Sequence, residues 1–227
     1  MSNDLTLFAA GKGDDMERGS LTVVSGFSGA GKGTLMKALL EKYSNYVLSI
    51  SCTTRAPREG EQDGREYFFI TQEEFDRRIR QDEFLEYAGY VNHSYGTPKA
   101  YVEEMIAHGR DVLLEIEVQG AAIVREKCPD AILVFVTTPD AQVLYNRLTG
   151  RGTETDDVVR NRLAQAAREI GEIDRYDALI INDDLEQSVE KIHAAIQTAK
   201  FTPARQADFL QTFRRELEEM NRRLSNS

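Results

Sequence analysis

Two cysteines and three histidines are all that this chain of 227 residues offers by way of soft ligands or redox groups. Cys52 and Cys128 form no C-x-x-C pair, so a disulfide scaffold is excluded and both are read as reduced thiols. His93, His108 and His193 have no metal-ligand spacing and are assigned to solvated surface or local hydrogen bonding. Long apolar runs are missing too. The most apolar stretch, Ala131 to Val136, is far too short to cross a bilayer, and Met1-Ser2-Asn3-Asp4-Leu5 has neither a basic start nor signal-peptide hydrophobicity, so a soluble, cytoplasmic protein with no membrane partner is expected. Positive charge is also short. Against 38 Asp and Glu stand 28 Lys and Arg, a net charge of −10, which argues against a broad nucleic-acid surface and confines phosphate binding to local clusters. A hydrophobic content of 41% is ample for one core, and one α/β domain with insertions is predicted.

What is present is a glycine-rich turn in a telling place. The run Leu21-Thr22-Val23-Val24 reads as a strand, Leu35-Met36-Lys37-Ala38-Leu39-Leu40 reads as a helix, and between them lies Gly26-Phe27-Ser28-Gly29-Ala30-Gly31-Lys32-Gly33-Thr34. Glycines at 26, 29, 31 and 33 let the backbone curl so that successive N–H groups point inward, and Lys32 adds positive charge where a helix N-terminus already favours anions. G-x-x-x-x-G-K is met in full, the pattern of a loop that holds nucleotide phosphates. The next position, where a hydroxyl commonly meets Mg²⁺, is Gly33, and the hydroxyl comes one residue later at Thr34. The loop leaves the second substrate open, because GTPases, ATPases and small-molecule kinases share it.

Elsewhere strands alternate with helices: strands at 46–50, 112–116, 131–136 and 178–181, and helices at 120–127, 140–148, 156–170 and 185–200. Short apolar strands between amphipathic helices predict a parallel sheet covered on both faces, with ligands at the carboxyl ends of its strands. Two polar insertions interrupt the rhythm. The first, 52–97, carries Arg55, Arg58 and Arg65, predicted strands at 66–70 and 84–91, and a helix opened by Thr71-Gln72-Glu73-Glu74 with capping-box spacing. It reads as a small mixed lobe. The second, 149–155, holds Gly150-Arg151-Gly152 between Arg147 and Arg162 and reads as a lid spanning 147–162. Residues 1–19 form an N-terminal extension. Residues 202–227 form a C-terminal one, a helix whose Leu210, Phe213, Leu217, Met220 and Leu224 make a narrow apolar seam that either packs on its own domain or serves as a homo-oligomer contact. The body of the domain is then 20–201, with its core at 20–51 and 98–201.

The chain closely resembles guanylate kinase, a P-loop nucleoside monophosphate kinase that phosphorylates GMP with ATP, over about residues 21 to 200. Besides the loop, the resemblance rests on Ser51-Cys52-Thr53-Thr54-Arg55-Ala56-Pro57-Arg58, Gly64-Arg65-Glu66-Tyr67-Phe68, Phe84-Leu85-Glu86-Tyr87, Tyr95-Gly96-Thr97, Glu115-Ile116-Glu117-Val118-Gln119-Gly120, the lid stretch 147–155 and Asn182-Asp183-Asp184-Leu185. It implies that Arg55, Arg58, Tyr67 and Tyr95 hold the monophosphate, that Glu86 reads guanine, and that Ser51, Thr97 and Glu117 add contacts on the guanine side. Guanine presents N1–H and N2–H₂ as adjacent donors that one carboxylate can accept, whereas N1 of adenine is an acceptor. It also implies ATP binding by Gly26 to Thr34 with Asn182 near adenine, and Lys32, Arg55, Arg147, Arg151 and Arg162 as the charges stabilising transfer, with dGMP as a second acceptor.

The chemistry agrees with the lack of a nucleophile set. The attacking group is a phosphate oxygen of GMP, already mostly ionised near neutral pH because its second pKa is about 6, so no general base is required. Alignment and charge carry the reaction. The resemblance implies Mg²⁺ arriving with ATP as the cofactor, held mainly by phosphates and water, with Thr34 and Glu115 as candidate protein contacts. Glu115 and Glu117 stand where many relatives have aspartate. Competing readings are a silent guanylate-kinase-like module that binds phosphopeptides, which an intact loop disfavours, and a kinase for another monophosphate, suggested by Gly33-Thr34.

Overall fold

A computed structural model of the protein describes residues 18–90, 92–150 and 155–225. In chain order the core half opens with β1 (Leu21–Gly26), α1 (Lys32–Lys42) and β2 (Tyr46–Leu48). The first insertion supplies β3 (Cys52–Thr53), β4 (Phe68–Phe69), α2 (Gln72–Arg80), β5 (Phe84–Tyr90) and β6 (His93–Pro98). Then follow α3 (Lys99–Ala107), β7 (Asp111–Glu115), α4 (Val118–Lys127), β8 (Ile132–Thr137), α5 (Ala141–Thr149), α6 (Asp156–Glu169), β9 (Ala178–Ile181), α7 (Leu185–Lys200) and α8 (Ala207–Ser225).

The large sheet has five strands in the order β2-β7-β1-β8-β9, and every pair in it is parallel. β1 lies at its centre and is buried along its whole length, as its unbroken apolar run demands of a strand covered on both faces. One face packs on α1, α6 and α7 through Leu35, Leu39, Val159, Ile192 and Ile196, and the other on α3 and α4 through Val102, Ile106, Ala121 and Val124. The apolar burial is the main stabilising term of such a body.

The small sheet runs β4-β3-β6-β5, with β3–β4 parallel and the other two pairs antiparallel. Its own core is slight: Cys52, Phe75 and Phe84, with Phe68, Ile70 and Ile79 against them. What joins it to the large body is Leu85, which leaves β5 to pack among Val102, Ile106, Leu114 and Val124. The capping expectation at α2 is met, since the Thr71 hydroxyl accepts from the Glu74 amide at 3.1 Å.

Several predicted elements change. The strands expected at 46–50 and 66–70 shrink to Tyr46–Leu48 and Phe68–Phe69, and Glu66 is instead tied into a local turn, its carboxylate accepting from the Gln62 amide at 2.7 Å. The helix expected to run to 170 ends at Glu169 and tightens into a 3₁₀ turn over Ile170–Arg175. Three elements were not foreseen: α3, the short β3, and β6 as the partner of both β3 and β5. The reading in which the C-terminal seam packs on its own domain is not what the structure shows. Every described residue of α8 is exposed, Phe209 at 62% and Leu224 at 77% among them. A 3₁₀ turn at Pro203–Gln206 precedes it, fixed by Arg205, which donates to Asp130 O, Ala131 O and the Asp177 carboxylate.

Candidate active site

The site lies where the large sheet's strands end. At the end of β1, Gly26 has φ +149°, and a Cβ there would come 2.0 Å from the Val136 carbonyl oxygen, so β1 can lie beside β8 only with glycine at this place. Gly31 is left-handed (φ 92°) and stands at the N-cap of α1, turning the chain so that the helix starts at Lys32. The Lys32 ammonium donates to Gly26 O at 2.7 Å and Phe27 O at 3.2 Å, which holds its charge over the loop. Phe27 is buried with its ring edge-on to Phe135 at 5.0 Å, so it serves the loop through its backbone alone.

Three predicted residues brace this loop: Asn182, expected near adenine, and the lid arginines Arg147 and Arg162. The Ala30 carbonyl accepts from Asn182 Nδ2 at 2.8 Å and from Arg147 Nη1 at 3.1 Å, while Arg147 Nη2 donates to Asn182 O at 2.9 Å. Arg162 reaches the Ser28 hydroxyl at 3.0 Å. Gly29 and Gly31 pack against Leu148 and Asn182 respectively. Arg151 lies outside the described residues. Gly33 and Thr34 are exposed on the first turn of α1, and both Glu115 oxygens stand 3.8 Å from where a Gly33 side chain would begin. Burial pushes the Glu115 carboxyl up, opposed by Lys32 and reinforced by Glu117. Among the described residues no three acids, histidines or cysteines gather as a metal cage.

The other predicted residues come together on the small sheet. Arg55 stands over the rings of Tyr67 and Phe69, 5.5 and 5.8 Å from their centroids, with Tyr95 within electrostatic reach. Tyr67 and Tyr95 are themselves edge to face at 5.9 Å. Forked cations together with phenolic hydroxyls suit a dianion. Arg58 contributes an exposed side chain, and Ser51 is half-buried where its carbonyl accepts from the Phe68 amide at 2.9 Å.

Glu86 is a carboxylate 6% exposed, on β5. Its Oε1 accepts the Thr97 hydroxyl at 2.7 Å. Its Oε2 faces Gly120 on α4, where a Cβ would intrude to 3.1 Å. Burial pushes its pKa up, and Thr97 pulls the other way. The register of β5 against β6 shifts between Phe84 and Tyr87, and along this stretch the alternation of a strand sends Leu85 into the core while Glu86 faces Gly120. The end of β7 and start of α4 connect the two halves, with Glu115 beside the loop, Gly120 beside Glu86, and Glu117 exposed at the α4 N-cap between them.

Two acids of the site were missed in the sequence. Glu61 sits on Arg55, and Glu169 on α6 is 7% exposed, accepts from Gln165 at 2.9 Å, and is pushed up chiefly by burial, with Glu117 and Lys32 within electrostatic reach. A signal for Glu169 existed: it follows Val159 and Ala166 on the buried stripe of α6. Chemically, the ensemble can hold a polyphosphate on backbone amides, a monophosphate on side chains, and a base with adjacent N–H donors on a buried carboxylate.

Comparison with known proteins agrees with this geometry. The sequence model described as guanylate kinase matches residues 18–199. The chain is 48% identical to the guanylate kinase of Latilactobacillus sakei over 182 residues, 80% of this chain and 90% of that one. It is 46% identical to the guanylate kinase of Caldanaerobacter subterraneus over 200 residues, 88% of this chain and 97% of that one. Among solved structures it is similar to the guanylate kinase of Anaplasma phagocytophilum, with a TM-score of 0.64 and 31% identity over 83% of this chain and 89% of that one.

Proposed function

Because the chain belongs to the guanylate kinase family, we propose that its two half-sites divide the substrates of an ATP:GMP phosphotransferase, ATP on the loop from Gly26 to Thr34 and GMP on the small sheet. The enzyme transfers the γ-phosphoryl group of ATP to GMP or dGMP, giving ADP and GDP. The observation that carries the guanine assignment is Glu86, a buried carboxylate whose Oε2 faces the glycine Gly120. An acid buried at this cost pairs with donors, and guanine supplies two on one edge.

GMP docks with its phosphate among Arg55, Arg58, Tyr67 and Tyr95, and with its base on Glu86, flanked by Thr97, Ser51 and Glu117. A phosphate oxygen of GMP forms the new bond to the γ-phosphorus as the bond from that phosphorus to the β–γ bridging oxygen breaks and ADP leaves. Lys32, Arg55, Arg147, Arg151 and Arg162 stabilise the charge that spreads over the transferred group. Asn182 serves ATP from beneath, through the Ala30 carbonyl. Mg²⁺ fits as a companion of the nucleotide, because Glu115 is the carboxylate beside the loop and Mg²⁺ keeps waters and phosphates as most of its ligands. When bound it neutralises β- and γ-phosphate charge. Glu115 would hold it through water, and the Thr34 hydroxyl is the second candidate.

A coupled assay with GMP, dGMP, AMP, CMP and UMP tests the guanine assignment: GMP and dGMP should dominate, and equal use of AMP would sink it. No described helix is long and apolar enough to cross a membrane, and we place the enzyme with its nucleotide substrates in the cytoplasm. The exposed apolar seam of α8 supports a contact between copies of the chain. The number of chains per particle, from mass in solution with and without residues 202–227, should fall on truncation; an unchanged number removes that contact.

A further inference from the structure

We propose that Glu61 is a positioning residue that locks the two phosphate arginines, Arg55 and Arg58, in fixed relation to each other. The inference rests on the assignment of those arginines to the GMP phosphate and adds to it a residue that never touches substrate.

The loop from Arg55 to Glu61 has no regular structure to hold it, yet its polar atoms are tied at one point. Glu61 Oε2 accepts from Arg55 Nη1 at 2.9 Å and Oε1 from Arg55 Nη2 at 3.0 Å, a two-toothed ion pair. The same Oε2 accepts the Arg58 amide at 2.7 Å, and the Glu61 amide returns a bond to the Arg58 carbonyl at 3.1 Å. Gly60, with φ +86°, makes the turn that permits this reciprocal pair. The paired side chains are only 12% and 17% exposed, unlike the chain's solvated surface ion pairs. With three donors on it, the carboxyl is drawn down to about 2, chiefly by Arg55 and then by the Arg58 amide, and stays charged at every assay pH.

Two readings of such a carboxylate are physically distinct. It could imitate the phosphate and have to leave when GMP arrives, or it could stay and hold the arginine. Donor arithmetic favours the second. A guanidinium has five N–H groups. One from each Nη goes to Glu61 and another from Nη1 goes to Ala56 O at 2.7 Å. The Nε–H and the second Nη2–H remain, and these form the guanidinium's other forked edge, which is free to meet Tyr95 and an incoming phosphate. Glu61 is also bonded into its own turn through Arg58, so releasing Arg55 would not free it to move away.

The test is steady-state kinetics of Glu61→Gln, Glu61→Asp, Arg55→Ala and the Glu61→Gln/Arg55→Ala double variant. Glu61→Gln should raise the GMP KM about tenfold, leave the ATP KM within twofold, and lower kcat far less. Glu61→Asp, which keeps the charge, should recover part of the loss. In the Arg55→Ala background the Gln change should add little, because its target is gone. A fall in the GMP KM of Glu61→Gln would show a competing phosphate mimic and overturn the proposal. So would an equal penalty in both backgrounds, or an unchanged GMP KM where Arg55→Ala raises it. If Arg55→Ala itself leaves the GMP KM unchanged, the assignment of the phosphate site fails, and the positioning role fails with it.

Discussion

The two halves of the site are built from different materials. The loop half is backbone: glycines at forced angles, buried flanking residues, and carbonyls braced by Asn182 and Arg147 on a five-stranded sheet with two large apolar faces. The small-sheet half is side chain: a pair of tyrosines, two arginines and one buried acid, on a four-stranded sheet whose own buried core is Cys52, Phe75 and Phe84. Backbone amides recognise phosphate without regard to what carries it, so that half can be shared by many enzymes. Side chains recognise one base and one phosphate charge, so selectivity falls to the half with the smaller core.

If that division is sound, damage should sort by half. The largest effect is expected for Lys32→Ala, about a thousandfold in kcat, with the GMP KM within a few fold. A GMP KM that moved as far as kcat would break the comparison. Next comes Glu86→Gln, expected to cost roughly a hundredfold in kcat/KM for GMP and to collapse discrimination against AMP while sparing the ATP KM. Unchanged GMP/AMP selectivity would mean that the base is read elsewhere.

Away from both halves, Asp111 tests the foundation under the loop. It is 1% exposed and accepts from Ser20, Asn45 and, at 2.7 Å, Lys200. Burial opposes its charge, but these bonds prevail and its pKa lies below the usual value. A depressed folded pKa contributes stability above the unfolded value, near 4, and that contribution is lost as pH falls through the folded one. Asp111→Ala should lower unfolding free energy by about 2–4 kcal/mol at neutral pH, read by urea titration, and flatten the acid limb. The smallest effect sharpens the comparison by pH. In the proposed role Glu86 must be ionised to accept two guanine N–H bonds, and its pKa is raised by burial, so the GMP KM should climb as pH falls toward the acid range before the ATP KM does. In Glu86→Gln that early rise should vanish.

The same division explains what could be read in advance. A backbone site needs glycines at set places, and the strand-loop-helix around Gly26 to Thr34 announces itself in one dimension. The parallel order of the large sheet follows from its apolar strands and intervening helices. The small sheet hid more, because β3 and β4 are two residues each and carry no period. Glu61 lies in a polar run where an acid looks solvated, and its partnership with Arg55 depends on the turn at Gly60. Residues Arg55, Glu86 and Tyr95 were found through family resemblance rather than pattern. For α3 the signal was present: Tyr101, Val102, Met105 and Ile106 fall on one helical face between Pro98 and Gly109.

The register shift in β5 bears on how this lobe can change. Leu85 and Glu86 are neighbours aimed at opposite surroundings, one in the large core and one in the site. A one-residue slip of β5 would turn each to the opposite face, setting a leucine on the side proposed to read guanine and an acid toward Val102, Leu114 and Val124. Lineages can therefore trial new side chains on this strand one at a time, but they cannot alter its length without losing specificity and fold in the same event.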